Sequence, residues 1–269
     1  MESIKVLYIS QEITPYLPES EMSIISRNLP QGIQERGREI RTFMPRYGCV
    51  NERRNQLHEV IRLSGMNLII NDADHPLIIK VASIQAARMQ VYFIDNEDYF
   101  QRKATLADES GKFFDDNDER SIFFCRGVLE TIKKLRWSPD IIHCHGWLTS
   151  LIPIYVKKAY HEEPLFSHSK IIFSLYNDSF PGSLNKEFGN KLLFEDIKHK
   201  DIEVIKEPLC NNLMKLAVQY SDGVIYGSET LEPEVNEFVQ KSSIPVLPFQ
   251  SQDTYLDEYS KFYDKILEK

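Results

Sequence analysis

Residues 119–149 read ERSIFFCRGVLETIKKLRWSPDIIHCHGWLT, and this stretch decides the fold. Ile122, Phe123, Cys125, Leu129, Ile132 and Leu135 recur at spacings that place them on one broad helical face, which predicts an amphipathic helix over Glu119–Trp137. Ser138-Pro139 ends that helix, because proline supplies no N–H and disfavours helical geometry in the residue before it. The β-branched run Asp140–His145 follows at once and reads as a strand. A helix that passes into a strand through a two-residue connection is the repeating step of a parallel sheet with covering helices.

The same alternation extends in both directions. Strands are predicted at Ile4–Ser10, Glu39–Met44, Leu77–Ala82, Met89–Ile94, Ile171–Leu175 and Gly223–Ser228. Leu77–Ala82 and Met89–Ile94 have only a turn-length segment between them, so they form a hairpin inserted in the alternation. The polar, aperiodic segments 162–169 and 185–199 are expected to be loops. At the far end, Leu256, Tyr259, Phe262, Tyr263 and Ile266 fall at helical spacing within Asp253–Lys269, after the chain is broken by Pro245 and Pro248. The expectation is one α/β domain over residues 1–250, with a mostly parallel sheet, and a helix within 251–269 that packs back on it.

Composition narrows the function classes. Forty-two per cent apolar residues in 269 can fill a sizeable core without staples. The net charge of −8, with no Lys/Arg-rich block, argues against a nucleic-acid partner. No apolar run approaches the roughly eighteen residues needed to span a bilayer, and Ile4 begins a strand pattern without a preceding leader, so a cytoplasmic protein is expected. Cys49, Cys125, Cys144 and Cys210 are widely spaced and read as reduced thiols, mostly buried. Gly32 and Gly37 do not form a dinucleotide fingerprint, and neither a P-loop nor a nucleophile elbow is present.

Several motifs, in order, carry a resemblance. They are Lys5-Val6-Leu7-Tyr8-Ile9-Ser10 with Glu12 and Pro15, Met44-Pro45-Arg46-Tyr47-Gly48, Tyr92-Phe93-Ile94-Asp95-Asn96, Asp116-Asn117-Asp118-Glu119-Arg120, and Pro139 to Thr149 followed by Pro153 and Tyr155. Together with Ala217–Ser228 they resemble the N-terminal half of bacterial glycogen and plant starch synthases over residues 4 to about 240. That resemblance implies a Rossmann-like domain, one of two facing each other across a cleft in the GT-B arrangement. It also implies a family reaction, glucosyl transfer from ADP-glucose or UDP-glucose to the non-reducing end of an α-1,4-glucan with retention. The family's second domain, which holds most of the donor, has no counterpart in these residues. The segment 253–269 looks like the helix that crosses back in full-length relatives, which would make the gene complete with its middle removed.

Three departures bear on chemistry. Where the family carries Lys-x-Gly-Gly at a helix N-terminus beside the donor's phosphates, this sequence has Pro18-Glu19-Ser20-Glu21. A cation and flexible backbone are lost and carboxylates gained, a good helix start but one that repels pyrophosphate. Where the family's Thr-x-His-Asn supplies the expected catalytic histidine, Ser174-Leu175-Tyr176-Asn177 stands, and a tyrosine cannot assume an imidazole's role near neutral pH. The family's His-x-His-Asp-Trp-His reads His143-Cys144-His145-Gly146-Trp147-Leu148. His143 and His145 share a strand face, but with no further ligand at suitable spacing they read as a hydrogen-bonding pair and not as a metal site. The acidic run Asp115–Glu119 reads as a helix start.

The sequence therefore predicts a relative of glycogen synthase that uses no cofactor and, as an isolated chain, is not catalytic, with Tyr176 at the catalytic position. Glu12, Tyr16, His145, Trp147 and Asn177 are expected to line the crevice outside the carboxyl ends of the strands. An α-glucan or malto-oligosaccharide is the expected ligand. A donor-domain or regulatory protein is the expected partner, the alternatives being a glucan-binding or regulatory subunit and the acceptor half of a split transferase.

Overall fold

The computed structural model describes residues 3–268. Ten strands are present among them: β1 Lys5–Ser10, β2 Glu39–Pro45, β3 His58–Glu59, β4 Met66–Ile70, β5 Ala73–Ile84, β6 Met89–Asp95, β7 Ile141–His145, β8 Lys170–Leu175, β9 Gly223–Tyr226 and β10 Val246–Leu247. They run in the order β10-β9-β8-β7-β1-β2-β6-β5-β3, with β4 paired to β5 off this path. All pairings from β10 to β6 are parallel, and those of β5 with β6, β3 and β4 are antiparallel. β1 lies between β2 and β7, so the chain's direction of travel across the sheet reverses there, and the loops after β1 and β7 flank a topological switch point.

The expected hairpin is present as β5 and β6. It is larger than predicted, because β4 adds to β5 through the turn Asn71-Asp72, where both residues have positive φ, 50° and 61°. Segment 162–169 is a run of turns, as expected. Segment 185–199, read as loop, carries a short helix at Phe188–Leu192, whose Phe188 and Leu192 are buried.

The predicted long helix spans Asn117–Leu135. It ends at Arg136 in the left-handed region, with Asp118 and Glu119 in its first turn. Lys191 pairs with both carboxylates at 2.7 Å and Arg102 pairs with Asp116 at 2.6 Å, so the acidic run is a helix start held by neighbouring cations. This helix, with Phe43, Phe93, Cys144 and Phe173, belongs to the larger core.

The smaller core lies against Val6, Tyr8, Ile141, Ile172 and Ile225 and is covered by the first helix, Glu21–Glu35, and the last, Tyr255–Leu267. The last helix sets Tyr259, Phe262, Tyr263 and Ile266 against the sheet, as their spacing predicts. At Gly223 it comes so close that a Cβ would lie 2.9 Å from Ile266 Cδ1. Two ion pairs, Arg36 with Asp257 and Arg38 with Asp264, hold its exposed edge. Lys269, at the end of the predicted segment, lies outside the described residues. Among the described residues no helix is long and apolar enough to cross a membrane, and no group of three potential metal ligands occurs.

Candidate active site at the carboxyl ends of the central strands

The loop after β1 leads to the N-terminus of the first helix. Ser20 is the N-cap. Its hydroxyl accepts from Ser23 N at 3.0 Å, and the Ser23 hydroxyl in turn accepts from Ser20 N at 2.8 Å. This reciprocal box occupies the backbone donors of Ser20 and Ser23, two of those that an anion would otherwise meet. Ser20 also donates to Glu12 Oε2 at 2.8 Å, and Glu21, in the first helical turn, accepts from Ser228 Oγ at 2.6 Å. Ser228 Oγ itself accepts from Asn177 N at 3.1 Å, so the loops after β1, β8 and β9 are joined.

Gln11 is the central tie of the crevice. Its Nε2 donates to Asp178 Oδ2 at 3.2 Å, its Oε1 accepts from Leu148 N at 3.1 Å, and its backbone N donates to His145 O at 3.0 Å. Burial raises the Asp178 carboxyl above its ordinary range, and the neighbouring Glu12 adds to the rise. The mouth of the crevice is thus acidic. Gly146 has φ 89° and ψ 157°, a conformation open essentially to glycine, and a Cβ there would lie 2.8 Å from both Gln11 Cβ and Met22 Sδ. The loop therefore could not hold the family's aspartate without moving.

The rings of His143 and His145 lie 4.1 Å apart between centroids, tilted by 39°. Burial depresses both pKa values: His143 lies well below its usual value, pushed further by His145, and His145 falls to about 3. Both are neutral at pH 7. His143 Nδ1 lies 2.6 Å from Tyr263 Oη, and Nε2 2.8 Å from Ser174 Oγ. Tyr263 donates onward to Tyr8 at 3.2 Å, so the consistent tautomer has His143 donate from Nδ1 and accept at Nε2. His145 Nδ1 lies 2.8 Å from Tyr176 Oη, and its Nε2 has no partner among the described residues. Burial raises the Tyr176 hydroxyl well above its ordinary pKa, so it is protonated.

The residues predicted for this site fall into separate settings. His145 and Tyr176 meet directly, and the Tyr176 ring lies against the Gly227 backbone. Trp147, 2% exposed, packs against the stacked pair Phe113 and Phe180, at centroid distances of 5.7 and 4.8 Å. Tyr16 packs edge-on to Phe93 at 4.9 Å. Only Glu12, half-buried, and Asn177, exposed, keep appreciable access. The space beside Tyr176 and Asp178 is about 10 Å³, room for about one water. Sequence reasoning missed Gln11, Asp178, Phe113, Phe180 and Ser228. Phe180 lies only three residues past Asn177, and an aromatic in a crevice loop was the available signal.

This architecture defines half of a GT-B glycosyltransferase, with its crevice where the sheet's connections reverse. Residues 5–244 match the family model of the starch synthase catalytic domain, and the chain belongs to that family. It is similar to glycogen synthase of Chlorobium limicola, with 38% identity over 196 residues, covering 72% of this chain and 40% of the relative. It is also similar to that of Chlorobium luteolum, 34% identical over 240 residues, with 86% and 48% covered. The chain thus spans less than half the length of these relatives. The catalytic domain of Starch Synthase IV from Arabidopsis thaliana, bound to ADP and acarbose, matches its fold with a TM-score of 0.72 at 19% identity, covering 94% of this chain and 53% of the other.

Proposed function

We propose that this chain is a glucan-associated, cytoplasmic member of the starch synthase family that does not transfer glucose by itself. One observation carries the reading: the first helix's N-terminus is capped by Ser20 and Ser23 and edged by Glu12 and Glu21, both already hydrogen-bonded. A nucleoside diphosphate would meet like charge there, with the Ser20 and Ser23 backbone donors already occupied, where positioned positive charge is what such chemistry needs. The Tyr176–His145 pair adds to this, since neither group is an available cation or base at pH 7. The cytoplasmic assignment is supported by four free cysteines, three of them buried.

At the crevice, Glu12 and Asn177 are the proposed contacts for a malto-oligosaccharide, while His145, Trp147 and Tyr16 hold the loops that carry them. A second chain supplying a donor domain, or a regulatory protein, is the partner this reading accommodates. The test is transfer from ADP-glucose or UDP-glucose to glycogen by the purified chain, expected to stay at the no-protein blank. Incorporation above that blank overturns the non-catalytic reading. Binding of maltoheptaose, weakened by Asn177→Ala, is the expected positive result.

A further inference from the structure

A cleft of about 550 Å³ lies between the loop after β1, the first helix, a short helix at Glu52–Asn55 and the end of β5. Its volume falls within the roughly 300–1,000 Å³ typical of ligand sites. No residue of the loops after β7, β8 or β9 lines it, so it is separate from the crevice at the carboxyl ends of the strands.

Two arginines from different helices line this cleft, Arg27 from the first and Arg54 from the short one. Neither has a carboxylate partner among the described residues, and Arg27 donates only to the neutral Asn28 side chain, at 2.9 Å. One carboxylate, Glu19, lines the same space, so the wall is positive on balance in a chain whose net charge is −8. Thr14, Gln56, Ser83 and Gln85 add hydroxyls and amides that are in no side-chain hydrogen bond among the described residues. Tyr16 completes the wall. It is 8% exposed, and its buried hydroxyl has no partner among the described residues. Burial pushes its pKa up to about 12, so at pH 7 it is a donor. A buried hydroxyl left unpaired costs free energy, and an acceptor in the cleft would remove that cost.

Guanidinium forks pair with carboxylate or phosphate oxygens two at a time. A single fork fills a carboxylate, whereas the three oxygens of a phosphate can be shared by two forks and a hydroxyl. A phosphomonoester carries a charge of about −1.5 to −2 at pH 7. Two arginines against one carboxylate suit that charge better than the higher charge of a pyrophosphate, which Glu19 opposes. The unengaged amides and hydroxyls lie beyond what a phosphate alone would fill, and they suit a body that bears hydroxyl groups.

We infer that this cleft binds a small phosphomonoester with a hydroxyl-bearing body. Arg27 and Arg54 hold the phosphate, and Tyr16 donates to it.

The test is calorimetric titration of the purified chain with glycerol 3-phosphate, with malate and glycerol as the carboxylate and neutral counterparts. Wild type is expected to bind glycerol 3-phosphate more tightly than malate and to show no binding of glycerol. Arg27→Gln and Arg54→Gln should each weaken it by about tenfold or more, and Tyr16→Phe by about threefold. Glu19→Gln removes the opposing charge and should tighten it. Lys200→Gln/Lys206→Gln, which removes two exposed cations from another part of the surface, should leave the affinity unchanged. Arg54 is exposed, so its substitution keeps the test valid even if Arg27→Gln disturbs the fold. Absence of binding by wild type at millimolar glycerol 3-phosphate overturns the assignment, as does tighter binding of malate. Full affinity in Arg54→Gln, or an equal loss in the lysine variant, overturns it too.

Discussion

Ser228 donates its hydroxyl to Glu21 at 2.6 Å and so ties the end of β9 to the start of the first helix across the mouth of the crevice. The bond places a carboxylate, already satisfied, where the family resemblance puts one of two glycines. A donor phosphate entering this corner would have to break the bond and then face the charge it releases.

Reversing the change should reopen the corner. The variant Pro18→Lys/Ser20→Gly/Glu21→Gly restores a cation and mobile backbone, and is expected to gain measurable ADP affinity by calorimetry where wild type shows none. Its stability should fall by about 1 kcal/mol through the lost helix-start residue and the added glycine. Equal ADP binding by wild type would show that the capped helix is no barrier.

Trp147→Ala removes a ring held by Phe113 and Phe180 in the core. The expected loss is about 3–5 kcal/mol in urea denaturation, as for other buried large-to-alanine changes. Full stability with lost maltoheptaose binding would instead make Trp147 part of an open sugar surface.

Acid should weaken the fold in a defined window. The folded-state pKa of His145 is about 3, against 6.5 when free, and His143 is displaced in the same direction. The unfolded chain therefore binds more protons as pH falls below about 6.5, so stability is complete above that value and declines towards pH 3. Each histidine contributes at most about 1.4 kcal/mol per pH unit in that window. Denaturation midpoints measured from pH 7.5 to 5 should fall, and His145→Gln should make the decline shallower. An unchanged slope in that variant would assign the decline to His143 or to carboxylates.

Tyr263→Phe deletes the hydroxyl that meets both His143 and Tyr8. It leaves a buried imidazole N–H without a partner, and a loss of about 1–3 kcal/mol is expected. The same change should leave the maltoheptaose affinity unaltered, as the network lies beneath the last helix. A drop in affinity at constant stability would connect that network to the ligand.

The long helix, the central parallel strands and the last helix were legible because each keeps one period over many residues, as Ile122 to Leu135 and Tyr259 to Ile266 do. β3, β4 and β10 were not, being short or interrupted. Yet Asn71-Asp72, a pair suited to positive φ at the head of a hairpin, was a usable signal for β4. The loss of the phosphate loop could be read from Pro18 to Glu21. That Trp147, Tyr16 and His145 turn inward could not, because the partners that bury them, Phe113, Phe93 and Tyr176, are set by tertiary contacts between distant segments.

The contact of Tyr263 with Tyr8 spans 255 residues of sequence, and the ion pairs of Arg36 and Arg38 with the last helix span more than 200. The part of this face that the first helix leaves uncovered thus stays bare until residues 255–267 have been synthesised. Closure depends on the most non-local contacts in the molecule, which places its completion late in folding and makes it slow. During that interval the bare strands are sticky, so the yield of native chain should rise with a chaperone that shields them. In native-state hydrogen exchange, amides of β1 and of the last helix should open together, as one cooperative unit joining the two sequence extremes.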